Sequence, residues 1–427
     1  MSTTSRAGNG PVPLTAPSPE IVSVGRLRRW WRAAFLPFWV VPGLWCVAAV
    51  VAGLVLPKVE QSVGSIPIAV ASGPDGARAV LSTIAGAMIS VTGLVFSITI
   101  VVLQLASSQF TPRVLRSFLD DRVTQNTLGV FAASFLYSLS VLRAVRGSND
   151  ITSVAVPQLA VTVAFVLVVA AVGMFLAFIH HITSSIAVES VIGRVSDECR
   201  RIIESGLGHE DGLPTTAPEL PDLPGQHVVV ADRSGYLDLV DRGRLCAAAA
   251  RHDARVELLH PLGTFVAEGA PLAVVRLPGA AAPADVNWAA LVAGGVVLST
   301  ERSMQQDLSF GFRRLVDIAE RALSPGVNDP TTAVQAIDRL HDLLRRIAVL
   351  PDVHPVTLDE DDVPRVVTRE RSFGDHLDLA VDEIAHYGRG SLQVPRRLDA
   401  MLEDLATVTS GDRAGAVAAK RAAVLAD

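Results

Sequence analysis

Four stretches of this chain stay apolar over the ~20 residues that a helix needs to cross ~30 Å of hydrocarbon, and nothing else in it constrains the fold as much. They cover residues 36–56, 79–106, 125–145 and 157–178. The first opens with Trp30, Trp31, Trp39 and Trp45, and indole rings favour the membrane interface. The second exceeds one bilayer thickness, so it must tilt or project beyond it. The third is the least hydrophobic and carries Ser134, Tyr137, Ser138 and Ser140, while the fourth is rich in Val and Ala. Half of the 427 residues are hydrophobic and 19% are charged, with a mean hydropathy of +0.39. That is too apolar for a soluble protein and too charged for one that is all membrane.

Arginine sets the expected orientation. Arg26, Arg28, Arg29 and Arg32 precede the first span, Arg113, Arg116 and Arg122 lie between the second and third, and Arg194, Arg200 and Arg201 follow the fourth. The opposite side has only Lys58, Arg78, Arg143 and Arg146. Both termini are therefore expected inside, in the bacterial cytoplasmic membrane. The first twenty residues lack the apolar core of a signal peptide and read as a disordered tail, with the first span as an uncleaved anchor. A net charge of −6 gives no basic stripe for nucleic acid. Cys46, Cys199 and Cys246 have no zinc or redox spacing, so no metal and no cofactor is expected.

Along the second span, Ser82, Gly86, Ser90, Gly93, Ser97, Gln104 and Ser108 fall within about a quarter of the helix circumference at 100° per residue. Leu81, Ile84, Val91, Val95, Ile98 and Val102 lie outside that arc. A stripe of small and hydroxylated residues serves close helix packing, or it wets a path for an ion or small solute. No Asp, Glu, Lys or Arg sits near the middle of any span, and driven pumps usually need one. Passive conduction is thus favoured over active transport. His180 and His181 close the fourth span. Neighbours on a helix diverge by about 100°, so the pair reads as interfacial histidine near a helix C-terminus and not as a metal site.

The expected organisation is a tail (1–25), a four-helix transmembrane domain (26–182), a juxtamembrane helix with a Pro/Gly-rich linker (183–225), a small β module (226–280) and a helical domain (281–427). The fold class is accordingly a polytopic α-helical membrane domain with a cytoplasmic α+β region. Strands are expected at 227–231, 235–240, 255–259, 264–266 and 271–276, with Gly235, Gly263 and Gly269 in the turns. "SGYLDLV" and "HPLGTFVAEGAPLAVV" resemble the barrel-sandwich modules of lipoyl and biotinyl carriers. No lysine lies between Gln226 and Arg276 to accept a cofactor, which leaves a scaffold.

Helices follow at 304–323 and 330–348, joined by "SPGVNDP". Asp329 or Asn328 can cap the second, with Pro330 at its first position, where a missing N–H costs nothing. Arg313, Arg314, Asp317, Arg321 and Asp338 are the polar remainder at this corner. They form a structural ion-pair cluster or, with Asn328 and Asp329, a site for a ligand or partner. The run Asp359–Asp362 reads as solvated loop, and Gly388 in "HYGRGS" as a helix C-cap.

Taken together, "STIAGAMISVTGLVFSITIVVLQLASSQFTPRVLRSFLDDR", "GVFAASFLYSLSVLR", "FIHHI", "SGYLDLVD", "FGFRRLVDIAERALSPGVNDPTTAVQAIDRL" and "YGRGS" resemble a family of bacterial predicted membrane proteins, domain of unknown function 2254. The resemblance implies that these segments form one unit and supplies no catalytic residues. The chain shows no phosphate loop, G-x-S-x-G, H-E-x-x-H or paired-cysteine site. The reading is a non-enzymatic, homo-oligomeric membrane protein: a passive channel or transporter lined by the second span. The alternative is a membrane-anchored sensor or scaffold whose cytoplasmic half binds a ligand or partner protein.

Overall fold

The computed structural model describes residues 38–63, 73–109, 121–145, 157–206, 218–279, 286–351 and 354–426. The tail, Trp30 and Trp31, and the basic residues at 26–32 and 113–116 lie outside the described residues. The chain divides into two units, Met1–Ser107 with Val114–Thr183 and Ser108–Arg113 with Ser184–Asp427.

The first unit is helical. Its helices are α1 (Val40–Val63), α2 (Pro74–Gln109), α3 (Arg122–Leu142) and α4 (Gln158–Ile186). Three of them hold segments long and apolar enough to cross a membrane: Val40–Glu60, Pro74–Val102 and Gln158–Ser184. At 36 residues, α2 is ~54 Å long at 1.5 Å per residue.

Helix α3 differs in kind. It is buried along most of its length, with Phe131, Tyr137 and Val141 at most 1% exposed. A helix sheathed by others needs no apolar perimeter. Its polar side chains are satisfied locally instead: Thr127, Ser134, Ser138 and Ser140 donate to carbonyls four residues earlier at 2.7–2.8 Å. Tyr137 donates to the Ala160 carbonyl of α4 at 3.0 Å, and Trp45 of α1 donates to Asn126 Oδ1 at 3.0 Å. Two glycines let α1 and α3 close on each other. A Cβ at Gly53 would stand 2.6 Å from Ser140 Cβ, and one at Gly129 2.5 Å from Trp45 Cδ1. At the end of α1, the Glu60 carboxylate accepts from Leu159 N at 2.9 and 3.1 Å, where the partial positive charge of α4's N-terminus favours an anion.

The second unit begins with α5 (Val188–Gly206), whose inner face is Val191, Ile192, Val195, Cys199 and Ile203. Next come β1 (Gly225–Val230), β2 (Gly235–Val240), α6 (Arg242–Ala250), β3 (Arg255–Leu258), β4 (Phe265–Val266), β5 (Pro271–Leu277), α7 (Trp288–Gly295) and β6 (Val296–Ser299). Then follow α8 (Leu308–Leu323), α9 (Pro330–Ala348), β7 (Val356–Leu358), β8 (Pro364–Val367), α10 (Phe373–Gly388), α11 (Gln393–Val408) and α12 (Gly411–Ala426).

The strands make a five-stranded sheet, β1-β5-β3-β8-β7, and a three-stranded sheet, β4-β2-β6. The five strands expected from sequence are all present. They do not close on themselves within 226–280, because β6 completes the small sheet and β7–β8 extend the large one. The parallel β3–β8 pairing, Val256 opposite Val366, brings Val366 into the core of Leu237, Leu245, Val256, Val275 and Val292. Gly263 and Gly269 both sit at φ 78°, the left-handed region that glycine enters without steric cost.

Two local expectations are corrected. Asp359 is not solvated: its carboxylate accepts from Arg365 Nε at 2.6 Å and from the Val363 and Asp361 amides at 2.9 and 3.0 Å, organising the β7–β8 turn. Gly388 is not a left-handed cap but the last residue of α10, buried where a Cβ would collide with Val394 of α11.

Candidate functional site

The stripe on α2 is exposed along its described length: Ser82, Gly86, Ser90, Gly93, Ser97 and Gln104. Ser108 falls in the last turn of α2, and its side chain lies outside the described ones. The residues that α2 buries are Ala77, Leu81, Ile84, Ala85, Met88, Val95 and Val102. At 100° per residue their arc is centred about half a turn from that of the stripe, so the polar face points directly away from the unit's core. Added Cβ atoms at Gly86 and Gly93 would meet nothing within 4 Å. Ser90 turns its hydroxyl back to the Gly86 carbonyl at 3.0 Å, and Thr83 does the same toward Ala79 at 2.7 Å. Such back-bonding keeps a hydroxyl satisfied in an apolar setting and leaves its oxygen lone pairs for another partner.

In the second unit, the turn between α8 and α9 is built as its residues dictate. Asn328 takes φ 48°, which Asn tolerates better than most residues. Asp329 is the cap: it accepts from Thr332 N at 3.1 Å and from the Thr332 hydroxyl at 2.6 Å, and the hydroxyl bond leads in holding its carboxyl below the usual range. Asp329→Ala is expected to cost about 0.5–2 kcal/mol as a lost cap, read as a lower melting temperature. An unchanged melting temperature with lost activity would assign Asp329 to a site instead.

The polar residues of this corner do not form one cluster. Arg313 pairs with Asp317 at 2.6 Å, with Glu320 at 3.1 Å and with Glu383 of α10 at 2.5 Å. Arg314 points elsewhere, toward Met304 Sδ at 3.0 Å and Glu198 of α5 at 3.8 Å, and burial lowers its pKa. Arg321 is exposed in the last turn of α8. Asp338 belongs to a separate network, pairing with Arg397 of α11 at 2.5 Å. Arg397 also donates to His341 Nδ1 at 2.8 Å, and His341 Nε2 faces Asp404 at 2.8 Å. Glu320, Glu383, His341, Arg397 and Asp404 were missed by sequence reading, because three of them come from α10 and α11.

Around Arg313, one cation faces three carboxyl groups. Burial, followed by a hydrogen bond to Glu383, pushes Glu320 up to about 7, while the Arg313 guanidinium pulls Glu383 well below the usual range. Between the ordinary glutamate value of 4.5 and about 7, the folded state keeps a proton that the unfolded chain has released. This pair's contribution to stability therefore weakens as pH rises through that window, and Glu383 acts in the opposite sense only below it. Glu320→Gln, which keeps a donor without the proton equilibrium, is expected to flatten the melting temperature between about pH 5 and 7.5. A pH dependence parallel to wild type would remove the shared proton.

A helical unit with three helices long and apolar enough to cross a membrane, joined to an α/β unit, defines the class: a membrane protein with a separate α/β region. The chain belongs to the family described as Predicted membrane protein (DUF2254), whose model matches residues 37–404. Uncharacterized proteins of Mycobacterium bovis and Mycobacterium tuberculosis are each 31% identical over 377 residues, covering 87% of this chain and 71% of theirs. A further Mycobacterium tuberculosis relative, also uncharacterized, is 32% identical over 379 residues, with the same coverage. No solved structure matches the chain significantly.

Proposed function

We propose that the protein is a homo-oligomeric passive channel or transporter of the bacterial cytoplasmic membrane, in which copies turn their α2 stripes toward a shared path for an ion or small solute. The outward stripe carries this reading. Small and hydroxylated residues run along the face of α2 opposite the one its own unit buries, so a path along them lies between copies and not inside one bundle. In this reading α3 also crosses the membrane, as the third of four spans and shielded from lipid by its neighbours, and both termini are cytoplasmic. A cysteine at Ser65 is expected to react with an impermeant thiol reagent from outside intact cells, and one at Ser410 only after lysis. Labelling at 410 in intact cells overturns the orientation. Conductance or flux in proteoliposomes tests the activity itself.

A second reading is favoured by the Arg313 network. A membrane-anchored sensor or scaffold would use the second unit to bind a ligand or partner, with the β sheets as its frame. It predicts no flux for any ion or solute, and binding confined to the extramembrane part.

A further inference from the structure

The second unit contains a cleft of about 400 Å³ between α6 and α7, within the size range of small-molecule sites. Its polar lining is Arg244, Arg251, His252 and Asn287, and Ala248 and Leu291 are among its apolar walls. Other arginines of the second unit are neutralised: Arg255 and Arg276 pair with Glu257 at 2.9 and 3.2 Å, Arg302 with Asp307 at 2.7 Å, and Arg365 with Asp253 and Asp359 at 2.7 and 2.6 Å. Arg244 and Arg251 have no carboxylate partner among the described residues. Asp241, the acid at the start of α6, is already engaged as its cap, accepting from Arg244 N at 2.9 Å.

The groups are also positioned. The guanidinium of Arg244 lies beside Gly294, where a Cβ would come within 3.5–3.8 Å of it. The His252 ring meets Trp288 edge-on at 5.4 Å between centroids. Trp288 is 3% exposed, and its indole N–H is buried with no hydrogen-bond partner among the described residues. Trp288 therefore serves as the buried wall against which His252 is held at the cleft's rim. Two unpaired guanidinium groups, an imidazole and an amide around a partly apolar hollow match a phosphate bearing an organic group, since guanidinium binds phosphate oxygens through paired N–H donors.

We propose that this cleft binds a small phosphate-bearing organic molecule, with Arg244 and Arg251 holding the phosphate and Ala248 and Leu291 contacting the organic part. The site deepens the ligand-binding reading of the second unit and stands apart from the α2 stripe. The test uses the full chain in phosphatidylcholine nanodiscs, titrated calorimetrically with AMP, inorganic phosphate and glycerol 3-phosphate. AMP is expected to bind more tightly than inorganic phosphate. Arg244→Gln and Arg251→Gln are each expected to weaken it at least about tenfold, while the exposed Arg339→Gln on α9 leaves it unchanged. Binding of glycerol 3-phosphate without AMP supports the phosphate site and names a lipid headgroup as its source. Because Arg251 is exposed, its replacement leaves a folded protein even where that of Arg244 does not. No heat from any of the three at millimolar concentration, or equal affinity in Arg251→Gln, overturns the proposal. Neither result bears on flux along α2, which the proteoliposome assay decides separately.

Discussion

Leucine at Ser90 or Ser97 is expected to reduce flux through reconstituted protein to the background of empty liposomes. Both residues lie on the exposed stripe of α2. A path selective for an ion or small solute is narrow, and an isobutyl group replaces a hydroxymethyl in each copy around it. The choice of comparison residues matters. Val95 and Ile98 lie opposite the stripe in sequence, but Val95 is 0% exposed, and enlarging it strains the unit's own core by about 1–3 kcal/mol. Val166 and Val169 of α4, each 58% exposed, are the proper controls, because leucine there adds bulk only to the outer surface. The channel reading requires that Ser90→Leu and Ser97→Leu fold, assemble to the wild-type size and fail to conduct, while Val166→Leu and Val169→Leu conduct normally. If the stripe variants lose assembly instead, the small residues serve close approach between helices. An absence of flux in wild type sinks the channel and leaves the sensor or scaffold.

Most of the helices and strands were legible because each is encoded in its own residues. The apolar run of α4, the glycine that opens β2 and the Asp329-Pro330 start of α9 needed no partner to be read. What was missed depends on pairing at a distance. β7 and β8 span three and four residues, too short to show alternation, and β8 is a strand because β3, more than a hundred residues earlier, accepts it in parallel register. Helix α6, with the sequence RGRLCAAAA, has no amphipathic signal of its own and is fixed by β3 and β8, the strands it packs against. The polar corner pairs as ions but divides between two networks for a related reason. Its members share a stretch of sequence, but Arg313 and Asp338 face different helices, and only Glu383 and Arg397 determine which. The serines and Tyr137 of α3 made it look weakly apolar. The bonds to Ala160 and to the helix's own carbonyls explain how such a helix lies at a core.

Valine at Gly311 is expected to have a large structural effect on the packing of α5 against α8 in the second unit. Gly311 lies on the buried face of α8, directly under α5, and a Cβ there would collide with Cys199 Sγ and stand 2.8 Å from Met304 Cε. Cys199 is 0% exposed, and burial, with the nearby Glu198 carboxylate second, pushes its thiol up to about 12. It is therefore protected twice, by access and by the scarcity of thiolate, the reactive form. Overpacking an interior site costs about 1–3 kcal/mol. The cost here should reach the upper end, since the nearest obstacle is a buried side chain on a neighbouring helix and not the flexible end of an exposed one. The valine must then part α5 from α8. The expected readout is alkylation of Cys199, slow in wild type and at least about tenfold faster in Gly311→Val if the barrier falls by 1.4 kcal/mol, followed by mass spectrometry to separate it from Cys46 and Cys246. Gly311→Ala should fall between the two. A Cys199 that stays unreactive in a folded Gly311→Val protein would mean that α5 shifts without opening, and that the close approach at Gly311 does not hold the two helices together.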